Sequence, residues 1–250
     1  MRFWEELCGS SLARQVGVFD ASAESLSRFD AAYLDQYPYL LSYVPSDRLA
    51  GAAVLEIGLG YGTLSGQLIA RGAELHGVDI AAAPVEMVRH RLRLVGKDAE
   101  RVVQGSALAL PHPSDSFDLV YSIGCLHHTG NLPRAVAEVH RVLKPGGRAV
   151  VMLYYRYSAR RLKRVVIPAL LRRGRSAAAV RGMYDTNAAG SSAPHTDYVS
   201  RREARRLFGE FGRVSIDTRN FDALPYLPRA RLLGSVDRVL GLDLYVTARK

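Results

Sequence analysis

Between Ala53 and Asp79 the chain reads Ala-Val-Leu-Glu-Ile-Gly-Leu-Gly-Tyr-Gly, then a stretch of helical composition, then Glu-Leu-His-Gly-Val-Asp. Val54, Leu55 and Ile57 make a short apolar run closed by glycine, the pattern of a buried strand. Gly58, Gly60 and Gly62 let the backbone turn sharply and come close to a ligand. Thr63 to Arg71 read as a helix, and Asp79 ends a second strand. Strand, tight turn, helix and second strand together form a nucleotide-cofactor half-site.

The details of the turn separate one cofactor from another. A dinucleotide site carries G-x-G-x-x-G and seats a pyrophosphate on the helix N-terminus. Here the spacing is G-x-G-x-G, and Thr63 stands at the last dinucleotide position. Glu56 precedes the turn, where a carboxylate repels a pyrophosphate and suits an ammonium. S-adenosyl-L-methionine has an ammonium, a sulfonium and no phosphate. Asp79 can accept both hydroxyls of a ribose. The turn therefore favours S-adenosyl-L-methionine and disfavours a nicotinamide dinucleotide.

A chain of 250 residues with 48% hydrophobic content can bury one large α/β core with a lid. No run of 18 apolar residues exists to span a membrane. The opening Met-Arg-Phe-Trp-Glu-Glu has two early acids and lacks the apolar stretch of a secretory leader. Cys8 and Cys125 have neither disulfide-framework nor zinc spacing. These features predict a cytoplasmic protein without a metal centre. The net charge of +10 is local: nine basic residues and no acid fall between Arg156 and Tyr184, and the rest of the chain holds 25 basic against 24 acidic residues.

Further along, Pro84 to Val95 reads as a helix with proline in its first turn. Arg101–Gln104 and Phe117–Ile123 read as strands. Leu132 to Leu143 is amphipathic, and Lys144-Pro-Gly-Gly stops it. Arg148–Tyr154 is a fifth strand. After the basic stretch, Ser200-x-x-Glu203 is a capping box opening a helix to Phe211. Arg213–Thr218 and Leu242–Ala248 alternate as an antiparallel pair. Alternating strands and helices imply a parallel sheet with right-handed crossovers.

Four segments resemble the class I S-adenosylmethionine-dependent methyltransferases of small-molecule type. They are Val54–Gly62, Val78-Asp-Ile80, Ser116–His128 and Arg141–Gly147. The resemblance implies a Rossmann-like α/β fold: a seven-stranded, mostly parallel sheet with helices on both faces and the last strand antiparallel. It divides the chain into an N-terminal helical lid (1–48), a cofactor-binding core (49–155), a basic helical insertion or lid (156–198) and the C-terminal part of the sheet (199–250). Glu56, Gly58, Gly60 and Gly62 would line the methionine end of the cofactor, Asp79 would hold its ribose, and Ile80 would pack on its adenine. Ser106 and Ala107 follow the third strand, and Ser106 stands where the family often has an acid. Ile123 and Gly124 would lie beside the sulfonium.

Methyl transfer needs alignment of the acceptor, exclusion of water and, for some acceptors, a base. His127 and His128, just past the fourth strand, are the candidate bases, with loop or cofactor scaffolding as the alternative role. His195 and Tyr198 are candidates to reach the acceptor from a lid. Tyr33, Tyr37 and Tyr39 are read either as lid or as helix core. The basic stretch 156–181 is open to three readings: a solvated helix, peripheral contact with an anionic membrane, and a nucleic-acid groove. Ser122-Ile-Gly-Cys125 stands where base-amino methyltransferases carry their motif, which disfavours nucleic acid. The expected reaction is transfer to an oxygen, hydroxyl or carboxylate, of a specialised metabolite or lipid-like molecule. The alternatives are a non-methylating enzyme using the bound sulfonium electrostatically, and a membrane-associated binding module with a degenerate cofactor site.

Overall fold

The computed structural model describes residues 3–6, 8–45, 49–170, 176–221 and 234–250. Leu171, Arg172, Arg173 and Arg175 of the basic stretch lie outside the described residues, as do Met1 and Arg2. The sheet order is β3-β2-β1-β4-β5-β8-β7. Its strands are β1 (Ala53–Ile57), β2 (Glu74–Asp79), β3 (Val102–Gln104), β4 (Phe117–Ile123), β5 (Leu143–Tyr155), β7 (Arg213–Arg219) and β8 (Asp243–Arg249). The first five run parallel, and β8 is antiparallel to both β5 and β7. This is the Rossmann-like fold with the antiparallel last strand that the sequence implied. A two-residue strand, β6 (Tyr198–Val199), adds an eighth member beside the end of β5.

Burial on both faces explains why β1 is nearly all apolar. Leu55 and Ile57 enter the core on the face covered by α5 (Leu132–Val142) and α9 (Arg201–Leu207). Val54 enters the opposite core, with Leu68 of α3 (Thr63–Ala70) and Val88 of α4 (Ala82–Leu94). Side chains alternate along a strand, so Glu56 shares the face of Val54 and points at α3. The capping box of α9 is formed: the Ser200 hydroxyl accepts from the Glu203 N–H, and the Glu203 carboxylate accepts from the Ser200 N–H.

The fifth strand begins earlier than its apolar pattern suggests. Leu143 already pairs with Phe117, across a register shift between Phe117 and Leu119. Lys144 donates to the Asp118 carboxylate at 2.9 Å, and the Gly146 N–H donates to the Lys250 carbonyl. Polar partners thus recruit Lys-Pro-Gly-Gly into a strand that hydropathy alone ends after the helix.

The N-terminal helix α2 (Ala23–Gln36) is bolted to the glycine turn. Arg91 makes two 2.8 Å bonds to the Asp30 carboxylate and a third, of 2.6 Å, to the Tyr61 carbonyl. Thr63 Oγ1 donates to Asp30 Oδ1 at 2.6 Å. Phe29 stacks on Tyr61 with ring centroids 4.2 Å apart. The two charged side chains are only 9% and 18% exposed. Removing one member of such a pair strands the other in a poorly solvated place. Asp30→Ala is therefore expected to cost roughly 3 kcal/mol in urea unfolding; a loss below about 1 kcal/mol, as for a surface pair, would show that α2 is not clamped this way.

Candidate functional site

Parallel strands of an open sheet place ligands at their carboxyl ends. There the structure has a cavity of about 690 Å³, reached by the ends of β1, β2, β4 and β5. Glu56, Gly58, Gly60, Gly62, Asp79, Ile80, Ser106, Ala107, Ile123 and His128 all line it. His127 does not: it is fully buried beneath the wall, and burial holds its imidazole well below the usual histidine range.

The turn is built by packing. Gly58, Gly60 and Gly62 have φ of +83°, +52° and +74°, the left-handed region that favours glycine. A Cβ on Gly58 would collide with Cys125, and one on Gly62 would come within 2.8 Å of Val88. The Asp79 carboxylate ties the turn to β2. Its Oδ2 accepts from the Leu59 N–H at 2.8 Å, and its Oδ1 from the Ala81 N–H at 3.0 Å. Burial pushes the Asp79 carboxyl up, against the pull of these backbone donors. Ser106 spends its hydroxyl locally, accepting from the Leu108 N–H at 3.2 Å.

Glu56 is 3% exposed and takes a short hydrogen bond from the Ser65 hydroxyl on α3. Burial pushes its carboxyl up to about 8, although Ser65 and the Arg91 charge both favour the ionised form. Acids outnumber bases on the cavity walls. Asp185 and Asp243 join Glu56 and Asp79 on its walls, and Arg160 is the single Lys or Arg among the described lining residues. Four acidic groups against one guanidinium favour a cation over a polyphosphate.

The family profile described as a methyltransferase domain matches residues 55–151. Those residues, which run from β1 into β5, resemble a methyltransferase domain. The donor set fits S-adenosyl-L-methionine, with acids for an ammonium and a sulfonium and, among the described lining residues, no Lys or Arg from the glycine turn to meet a phosphate. A demethylmenaquinone methyltransferase of Tropheryma whipplei is 31% identical over 131 residues, covering 47% of this chain and 54% of that protein. A malonyl-[acyl-carrier protein] O-methyltransferase of Halorhodospira halophila is 36% identical over 52% of this chain and 44% of that protein. The chain thus spans about half the length of these curated relatives. An S-adenosylmethionine-dependent methyltransferase from Thermotoga maritima has the same fold, with a TM-score of 0.58 at 19% identity over 97% of this chain and 100% of that one.

Sequence reasoning missed the far end of the cavity. Trp4, Tyr154, Tyr184 and Asp185 line it alongside His128. Tyr154 ends β5, so the strand-end rule that singled out Ile123 could have found it. Asp185 lies in the insertion, where no motif marks it. Tyr33 and Tyr37 line the cavity, whereas Tyr39 packs on Tyr245, with ring centroids 5.6 Å apart. His195 and Tyr198 stay off the cavity; His195 contributes its carbonyl to His128 Nδ1 at 2.8 Å. Among the described residues no cluster of His, Cys, Asp or Glu could hold a metal ion.

Glu56 gives the ligand-free domain a pH signature. The fold raises its carboxyl from 4.5 to about 8, so between those values the folded state binds more protons than the unfolded chain. Its contribution is fully present below about 4.5 and is lost as pH rises toward 8. Glu56→Gln should flatten that slope in urea titrations at stepped pH. An unchanged slope would mean that Glu56 is ionised in the fold.

Proposed function

We propose that the protein transfers a methyl group from S-adenosyl-L-methionine to an oxygen of a small organic acceptor. The observation that carries this is the charge of the cavity, four acids and one guanidinium at the carboxyl ends of the strands. When bound, the cofactor supplies a methyl carbon made electrophilic by its sulfonium.

The chain's own residues divide the work. Glu56, beside the turn, would pair with the ammonium; Gly58, Gly60 and Gly62 would let the backbone approach the methionine portion. Asp79 would accept from the ribose hydroxyls with the lone pairs left over from Leu59 and Ala81. Ile80 would pack against the adenine, with Ser106 and Ala107 at its edge. Ile123 and Gly124 end β4 and would border the sulfonium. His128 is the candidate base of the histidine pair, because it reaches the cavity and His127 does not. Trp4, Tyr33 and Tyr37 would roof the site and exclude water, the conditions that in-line transfer needs. The N-terminal segment and the insertion would then build the acceptor end, and the acceptor would be a specialised metabolite or a lipid-like molecule.

One surface feature supports peripheral contact with an anionic membrane. Leu162, Val166, Ile167 and Leu170 are exposed, and Arg160, Arg161, Lys163 and Arg164 interleave with them without an acid. Among the described residues no helix is long and apolar enough to cross a membrane. Sedimentation with phosphatidylglycerol vesicles that fades with added salt and is absent with phosphatidylcholine is the expected result. Equal recovery with both lipids would remove the electrostatic contact.

Asp79→Ala should weaken S-adenosylhomocysteine binding by about ten- to a hundred-fold, the worth of hydrogen bonds to a charged group. Calorimetry on folded variant measures this, and unchanged affinity would remove the ribose role. Incubation with methyl-labelled cofactor and a panel of alcohols, phenols, carboxylic acids and amines tests the reaction itself. Label found only on nitrogen or carbon would overturn the oxygen assignment.

A further inference from the structure

Four segments distant in sequence meet around one histidine. His128 follows β4, Tyr154 ends β5, Asp185 and His195 belong to the insertion, and Trp4 comes from the N-terminal segment. The Trp4 ring packs on the His128 ring, with centroids 4.7 Å apart. The His128 side chain is 6% exposed, so its hydrogen bonds decide its state.

Those bonds fix the tautomer. His128 Nδ1 lies 2.8 Å from the His195 carbonyl, which can only accept. The Thr196 hydroxyl donates to that same carbonyl at 2.8 Å, so its oxygen also faces Nδ1 as an acceptor, at 3.3 Å. The hydrogen therefore sits on Nδ1, and neutral His128 presents a lone pair at Nε2. Facing that lone pair, at 3.6 Å, is Asp185 Oδ2. The other carboxylate oxygen, Oδ1, accepts from the Tyr154 hydroxyl at 3.0 Å, while Oδ2 has no hydrogen-bond partner among the described residues. Two buried lone pairs so close repel each other unless a proton comes between them.

We propose that His128 and Asp185 form a dyad that takes up one proton at the acceptor end of the cavity, and that the acceptor is a neutral alcohol or phenol. This rests on the methyl-transfer reading above. In the step, the acceptor's hydroxyl proton moves to His128 Nε2 by way of the Asp185 carboxylate, which faces that lone pair and also lines the cavity. The acceptor's oxygen lone pair forms the new bond to the methyl carbon, and the carbon–sulfur bond breaks with its electron pair left on sulfur. The imidazolium is stabilised by Asp185, itself oriented by Tyr154. Asp185 thus meets the acceptor, and His128 holds its proton. A carboxylate acceptor has no proton to give and would meet Asp185 and Asp243 as like charges.

The surrounding charges agree with a shared proton. Burial pushes His128 down, opposed by Asp185 and Asp197 and reinforced by the nearby His195 ring. Burial pushes Asp185 up, opposed by His128, the Tyr154 hydroxyl and Arg160. His127, packed 4.1 Å from His128 between ring centroids, stays neutral and adds no charge. The two shifts bring the partners' affinities for a proton together, so the pair titrates as a unit.

The test is histidine ¹⁵N NMR on the full chain, with S-adenosylhomocysteine calorimetry on the same samples. The wild-type His128 signal should show the Nδ1–H tautomer at high pH. Its titration should fall by about one unit or more in Asp185→Asn, the effect of losing an opposite charge at this range, and return in Asp185→Glu. An Nε2–H tautomer in the wild-type spectrum would overturn the dyad without any variant. So would a titration unchanged in folded Asp185→Asn while S-adenosylhomocysteine still binds. Failure of the wild type to bind S-adenosylhomocysteine would instead overturn the methyl-transfer reading on which the dyad rests.

Discussion

A carboxylate buried at the end of the central strand sets the terms for the rest of the domain. Glu56 sits on β1, which is covered on both faces, and alternation along the strand aims it at α3 rather than at solvent. Burying a charge is costly unless a partner compensates. Here one serine hydroxyl and the field of Arg91 do not suffice, and the carboxyl keeps its proton up to about pH 8. A ligand that brings its own positive charge supplies the missing partner. The site is thus incomplete in a way that favours a cationic ligand over a pyrophosphate.

The scaffold around that carboxylate is tied together by hydrogen bonds, and its covers come from separate stretches of the chain. Asp79 latches the glycine turn to β2 through the Leu59 N–H. Arg91 latches the same turn to Asp30 on the N-terminal helix. The insertion is latched to the end of β4 by the Asp197 N–H, which donates to the His127 carbonyl. Each cover is therefore tied to the end of a parallel strand or to the glycine turn, and each contributes residues to the cavity wall.

How much of this was legible in the sequence follows from the range of the forces involved. The β1–turn–α3 unit, Asp79 and the Ser200 capping box depend on neighbours within a few residues or on a fixed strand spacing, and they were read correctly as structure. The early start of β5 depends on Lys144 finding Asp118 and on Gly146 finding Lys250. Neither partner is visible in a local hydropathy pattern. The cavity wall at Glu56, Asp79 and Ile123 was legible because these residues lie at or next to strand ends, where the topology itself places ligands. The far end of the cavity was not. Asp185 reaches His128 from 57 positions along the chain, and Trp4 from 124. His127 and His128, adjacent and indistinguishable in sequence, part company because the short helical turn after β4 points one into the core and the other into the cavity.

The most direct test is calorimetric titration of the purified protein with S-adenosylhomocysteine and with NADH, near neutral pH and in two buffers of different ionisation enthalpy. Micromolar binding of S-adenosylhomocysteine is expected, with a buffer-dependent heat reporting the proton that Glu56 gives up to meet the ligand's ammonium, and no binding of NADH. Binding of NADH, or no heat with S-adenosylhomocysteine, would contradict the reading of the cavity as a site for a cationic sulfur nucleoside.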